Sequence, residues 1–337
     1  MKNKTSFLTD IKQNLPSGLV VFLVALPLCL GIALASGAPP LSGIIAGIIG
    51  GLVIGFLSNS HISVSGPAAG LAAIVLVGIS DLGSFELFLV AGIIAGIIQL
   101  ILGFVRAGSI SNYFPNNVIE GMLAGIGVII ILKQIPHAVG YDKDFEGNQR
   151  IFDGFNLTEY VTNLSNAISP GAIVITLVSL GILLTWEKIP ALKKIKMLPG
   201  ALVAVAVGIL LNEVFKGSSL EIAKEHLVTL PVPESAEDFK NLITFPDFTG
   251  FMNPKVWILG ATIAIVASIE TLLCIEASDR MDAHKRITDT NLELKAQGIG
   301  NLISAMIGGL PMTSVVVRSS ANANAGATSK TSAIIHG

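Results

Sequence analysis

Between residues 13 and 80 the chain carries no Asp, Glu, Lys or Arg, and its apolar runs there are too continuous for the faces of a soluble fold. A helix needs about 17–25 predominantly apolar residues to cross a bilayer. Segments 15–35, 41–57, 85–105, 118–132, 170–186, 198–215 and 256–274 fit or nearly fit that length, which predicts seven spanning helices. Segments 67–79, 297–310 and 315–327 are too short or too polar to span alone, and are expected to be partial helices packed within the protein. The first follows HISVSGPAAG, residues 61–70, and the third follows GGLPMTSVVV, residues 308–317. Gly, Pro and hydroxylated residues loosen or interrupt a helix, and irregular backbone at membrane depth is tolerated only where protein buries it or it lines a cavity.

Counted in order, the partial helices become spans 3, 9 and 10. Short basic segments mark the cytoplasmic side: Lys2, Lys4 and Lys12; Lys188, Lys193, Lys194 and Lys196; Arg280, Lys285 and Arg286. By alternation all three fall on one side, with the N-terminus cytoplasmic and the polar segments 133–166 and 216–253 outside. The break at Gly66–Pro67 comes about 40 residues after Pro27 in span 1, and the break at 313–318 some 43–48 residues after Glu270 in span 8. Segments broken at corresponding positions in opposite orientations predict an inverted-repeat transporter. Each break is expected to be a short extended piece, SVSGP or TSVVV, turning into a half-helix. Two half-helix N-termini facing each other would offer free N–H groups and positive dipole ends to an anion.

Composition agrees with a polytopic membrane protein. Only 13% of the 337 residues are charged and 52% are hydrophobic, against about 25% charge in soluble domains; mean hydropathy is +0.74. A net charge of −2 gives no case for nucleic acid. Two cysteines are too few for a disulfide framework, and no metal spacing or catalytic constellation argues for an enzyme or a cofactor. The glycine- and alanine-rich runs are helix-packing surfaces.

Arg318 is the sharpest candidate: a guanidinium among apolar and small residues, where insertion costs about 2.5–3.5 kcal/mol or more, with a planar fork suited to oxyanions. Ser65, Gly66, Pro67, Ala68 and Ala69 open the first half-helix; Pro67 suits a first helical position, which would leave the N–H groups of Ala68 and Ala69 as donors. Glu270 follows a run without charge that begins after Lys255; it can be a proton site, a counter-ion for Arg318 or a boundary carboxylate. Cys274 shares its helix face. His61 reads as a cytoplasmic-side loop residue, and Asp279 to Arg286 as a solvated charge run.

Four stretches, LPSGLVVFLVALPLCLGIALASGAPPLSG, HISVSGPAAGLAAIV, SIETLLCIEASDRMDAHKR and ELKAQGIGNLISAMIGGLPMTSVVVRSSANANAGATSKTSAIIHG, resemble the SulP anion transporters, the sulfate permease and bicarbonate transporter family. The resemblance implies seven plus seven inverted spans with core and gate domains, an anion held between half-helices 3 and 10, elevator-like movement of the core, a homodimer and the inner membrane. It implies an arm at 1–14, core spans 1–4 at 15–110, gate spans 5–7 at 111–215, an external loop at 216–253 and core spans 8–10 at 254–337. The chain ends before a span 11 and a C-terminal STAS domain, so it is expected to be the N-terminal part of a longer transporter. By motif, Arg318 matches the family's span 10 arginine, Glu270 its span 8 acid, and Ser65 to Ala69 the span 3 side of the site. A serine often precedes the arginine, but Val317 stands here and Ser319 follows. The sodium-coupled branch has Asp and, four residues on, Thr, where this chain has Glu270 and Cys274; that favours proton coupling or exchange over sodium. A nucleobase permease of the same architecture and a passive anion channel are the alternatives.

Overall fold

The computed structural model describes residues 7–113, 169–186, 188–189, 200–222 and 243–337, with isolated positions between 121 and 140. The expected span at 118–132 and the basic segment 191–199 lie largely or wholly outside the described residues. The chain divides into two compact units, one formed by Met1–Ile119 with Pro231–Gly337 and one by Glu120–Leu230.

In the first unit α1 runs Phe7–Ala35, α2 Pro40–Leu57, α3 Ala69–Leu82 and α4 Phe85–Phe104. Strand β1, Ser65–Pro67, lies between α2 and α3. The second unit holds α5, Pro170–Trp186, packed on α6, Gly200–Phe215. The chain then returns to the first unit with α7, Pro254–Met281, and α8, Thr290–Met306. After β2, Met312–Ser314, come α9, Val316–Asn324, and α10, Thr331–His336. Among the described residues α1, α2, α4 and α7 are long and apolar enough to cross a membrane.

Local chemistry moves several boundaries from the apolar runs. Helix α1 starts at Phe7, inside the expected polar arm, because its polar first turns find partners: Asn14 is fully buried, donates to Asp10 and accepts from the amides of Thr328 and Ser329. Asp289 caps α8 by accepting from the amides of Asn291 and Leu292, so that helix begins seven residues before its apolar stretch. Helix α7 continues through Met281, where Arg280 pairs with Glu276 at 2.6 Å. Pro67 is strand, not the first helical residue; Ala68 is the N-cap and α3 begins at Ala69.

The core of the first unit is apolar and glycine-tight. Phe88, Leu89, Ile94, Ile263, Ala264 and Ala267 are buried between α4 and α7. On the other side of α4, a Cβ on Gly298 of α8 would stand 2.7 Å from the backbone nitrogen of Leu100 and one on Gly96 2.7 Å from that of Leu302. Only glycine allows backbones this close, which makes α4 and α8 a single packed pair.

Candidate functional site

Strands β1 and β2 pair antiparallel, with Ser65 opposite Ser314, Gly66 opposite Thr313 and Pro67 opposite Met312. All six residues are buried. The ribbon explains how two interrupted segments cross the interior: each supplies the hydrogen-bond partners the other's backbone lacks. Val315, the N-cap of α9, extends the exchange by donating its amide to the Val64 carbonyl at 2.9 Å. Neither Ala68 at the start of α3 nor Val315 at the start of α9 makes a side-chain cap. Neither N-cap side chain therefore satisfies a first-turn N–H group; the Val316 N–H of α9 goes to Cys274 instead, and helix starts without their own caps are an arrangement an anion can use.

One face of α7 reaches both helix starts. A Cβ on Gly70 would sit 3.0 Å from each Glu270 carboxylate oxygen, which places that carboxylate against the first turn of α3. Glu270 Oε2 is buried and has no hydrogen-bond partner among the described residues. Thr271 Oγ1 accepts the Ser314 amide at 3.4 Å, and Cys274 is hydrogen-bonded by the Val316 backbone at the start of α9. Thus Glu270 and Cys274, one helical turn apart, address the two half-helices separately.

Arg318 is fully buried, the largest side chain so enclosed among the described residues. Its guanidinium lies against Gly66, where any Cβ would collide with Nη1, and Nη2 donates to Cys29 Sγ on α1 at 3.3 Å. Its Nε and Nη1 have no partner among the described residues. A charged group with two unsatisfied donors in a protein interior needs an acceptor. No ion pair joins Arg318 to Glu270, so the counter-ion expectation gives way: the ribbon places the arginine on the α1 side, at Gly66, and the carboxylate at the start of α3.

The remaining candidates separate. Val317 is 63% exposed and does not face the ribbon. Ser319 is buried with its hydroxyl committed, donating to the Val315 carbonyl at 2.8 Å and accepting the Val64 amide at 3.0 Å; it holds α9 to the chain before β1. The Ser65 hydroxyl faces α8, where it accepts from Gln297 Nε2 at 2.7 Å. His61 is half-buried, with burial and then Arg286 holding its imidazole below the usual range. Sequence reasoning missed Cys29 and the buried polar row of α8, Glu293, Gln297 and Asn301. Their four-residue spacing along one helix was the available signal.

The sulfate permease family model matches residues 11–337. The chain belongs to the sulfate permease family. It is 30% identical to the putative sulfate transporter YvdB of Bacillus subtilis over 98% of this chain and 59% of that protein. To the bicarbonate transporter BicA of Picosynechococcus it is 25% identical over 91% of this chain and 52% of BicA; the chain spans little more than half the length of these relatives. The fold matches the transmembrane domain of a cyanobacterial BicA with a TM-score of 0.76 at 22% identity, over 98% of this chain and 81% of that one. It also matches SLC26A9 with a TM-score of 0.71 at 17% identity, over 99% and 53%. A sulfate permease family member with these apolar helices is a multi-pass membrane protein of an anion-transporting family.

Proposed function

We propose that the full-length protein is a secondary active transporter of an inorganic oxyanion, sulfate or bicarbonate, and that the anion binds where the β1–β2 ribbon meets the starts of α3 and α9. The observation that carries this reading is Arg318, 0% exposed with Nε and Nη1 unsatisfied beside Gly66. An oxyanion would accept from first-turn amides in a site made positive by that guanidinium. Relatives named as sulfate and bicarbonate transporters support the substrate class.

In this reading the protein sits in the inner membrane with its N-terminus in the cytoplasm, works as a homodimer and carries the anion by an elevator-like movement of the first unit against a gate. Spans 1–4 and 8–10 supply the moving part and spans 5–7 half of the gate, within a seven-plus-seven inverted repeat. The proton is the coupling ion, because Glu270 can be neutralised beside the anion, while Cys274 offers a soft thiol where sodium prefers oxygen.

The test is uptake of labelled sulfate and bicarbonate into proteoliposomes holding the full-length protein, with imposed proton and sodium gradients. Arg318→Ala should weaken anion binding by roughly 10- to 100-fold, the size of hydrogen bonds to a charged group, while the protein stays monodisperse in detergent. Calorimetric titration showing unchanged affinity would remove Arg318 from the site.

A further inference from the structure

The chain is uncharged between Glu86 and Arg106, so Arg106 is the first cation where the α4 span leaves the apolar layer. Here the chain is fastened to the first turns of α8 at two points. A Cβ on Gly103 would stand 2.6 Å from Lys295 Cγ and 2.9 Å from the Lys295 backbone nitrogen, and one on Gly108 would stand 2.8 Å from the Asn291 backbone nitrogen. The Gly108 amide also donates to Asn291 Oδ1 at 3.0 Å. Between these contacts the backbone turns at Arg106, whose φ of 61° is left-handed, a conformation uncommon outside Gly, Asn and Asp. A cavity of about 480 Å³ opens there against α8, within the range of about 300–1,000 Å³ that holds small ligands.

The cavity joins two cations to an apolar rim. Arg106 and Lys295 line it with Phe104, Leu292, Asn291 and Asp289, and neither cation is ion-paired among the described residues. Lys295 lays its stem over Gly103 and holds its ammonium 4.4 Å from the Phe104 ring centroid, which fixes the charge at the cavity without neutralising it. The acid of the wall, Asp289, has Oδ1 occupied by the amides of Asn291 and Leu292, and it is outnumbered by the cations. Asn291 gives its oxygen to Gly108, which leaves its NH2 group to donate. Beside the cations Phe104 and Val105 are 65% and 66% exposed, as side chains facing acyl chains are. Snorkelling toward water accounts for a single cation at a span end. It gives no reason for two, from different segments, to converge on one concave wall, or for an arginine to hold a left-handed backbone.

We propose that this cavity binds the phosphate headgroup of an anionic phospholipid, with Arg106 and Lys295 on the phosphate oxygens, Asn291 donating beside them and the acyl chains lying along Phe104 and Val105. The guanidinium fork matches two phosphate oxygens, and the ammonium adds a point charge. Basic pockets between spanning helices take such headgroups on the cytoplasmic side. This one lies at the start of α8, just after the segment 280–286 whose basic residues mark that side. A soluble phosphate would meet the same cations but would leave the apolar rim unused.

The test is native mass spectrometry of the full-length protein in detergent, titrated with phosphatidylglycerol or phosphatidylcholine. Arg106→Gln should weaken binding of one phosphatidylglycerol per chain about tenfold, the size of a hydrogen bond to a charged group, and Lys295→Gln should weaken it by a smaller factor. Asp289→Asn keeps the helix cap, since Asn caps as well as Asp, but removes the acid. It should bind phosphatidylglycerol roughly two- to fivefold more tightly than wild type, the size of an exposed charge interaction. The two kinds of variant move affinity in opposite directions, which misfolding cannot imitate. Should Arg106→Gln fail to fold, Lys295→Gln and Asp289→Asn still carry the opposed shifts. Equal binding in wild type and the Gln variants, or weakened binding in Asp289→Asn, would overturn the proposal. Phosphatidylcholine bound as tightly as phosphatidylglycerol would reduce the site to ordinary surrounding lipid. Glycerol 3-phosphate bound as tightly as phosphatidylglycerol would make it a site for a soluble phosphate ester; either result refutes the anionic-lipid assignment.

Discussion

At the scale of single residues, the placement of Glu270 carries the most consequence. Its carboxylate lies against the first turn of α3, the place assigned here to the anion. Two negative charges at one helix start repel, so the anion favours the protonated glutamate and the protonated glutamate favours the anion, a linkage that is necessarily reciprocal. Uptake by the full-length protein is therefore expected to rise as external pH falls from about 8 to about 6, the range in which a desolvated carboxyl takes up a proton, and to be indifferent to sodium. Glu270→Gln should remove the pH dependence whether or not exchange persists. Uptake that needs sodium at constant pH, or an unaltered pH profile in Glu270→Gln, would refute proton coupling through this residue.

At the scale of elements, α8 holds the ribbon in place from behind. Asn301 takes both backbone groups of Met312, accepting its amide at 2.6 Å and donating to its carbonyl at 3.0 Å, while its other N–H goes to Gln99 at 2.6 Å. With Gln297 on Ser65, one helix thus grips both strands. That grip is only as firm as the α4–α8 contact, where Gly96 and Gly298 bring backbones together. Gly298→Val is expected to force the helices apart, at a cost of roughly 1–3 kcal/mol for overpacking. The full-length variant should lose thermal stability and anion affinity together. Wild-type melting with normal uptake would show that the close approach is not needed.

At the scale of the whole molecule, one end of the first unit ties together parts of the chain distant in sequence. Arg286 donates to Asp282 at 2.6 Å through Nε and to the Thr328 carbonyl at 3.0 Å, and Asn14 of α1 accepts the Thr328 amide at 2.8 Å. The Arg286 guanidinium holds the Asp282 carboxyl well below its ordinary 3.8. A carboxyl whose folded value is depressed contributes stability that is complete above its ordinary value and fades as pH falls below it. Arg286→Ala should then lower the Tm of the full-length protein by roughly 2–4 °C at neutral pH. The gap from wild type should close as the pH drops below about 4, where the unfolded carboxyl protonates. A gap that is the same at both ends of that range would exclude the Asp282 pairing as its cause.

What the sequence determined by itself is what local composition decides. Apolar length set the long helices α1, α2, α4 and α7, and the Gly, Pro and hydroxyl runs at 61–70 and 308–317 set both breaks, because a helix at that depth cannot continue through such residues without outside partners. Arg318 was legible because an isolated cation in an apolar run has few structural excuses. The tertiary structure decided everything that depends on which breaks meet. Only the ribbon shows that Arg318 rests on Gly66 and Cys29 while Glu270 lies against α3, so of the readings open for Glu270 the counter-ion one gives way. Val317 and Ser319 flank the arginine in sequence, yet one faces outward and the other is committed to Val64 and Val315, since successive helical residues point about 100° apart. Glu293 and Gln297 drew no notice as a polar interruption in a helix, because a buried carboxylate gains its meaning from partners 235 and 232 residues away, and no local pattern encodes those.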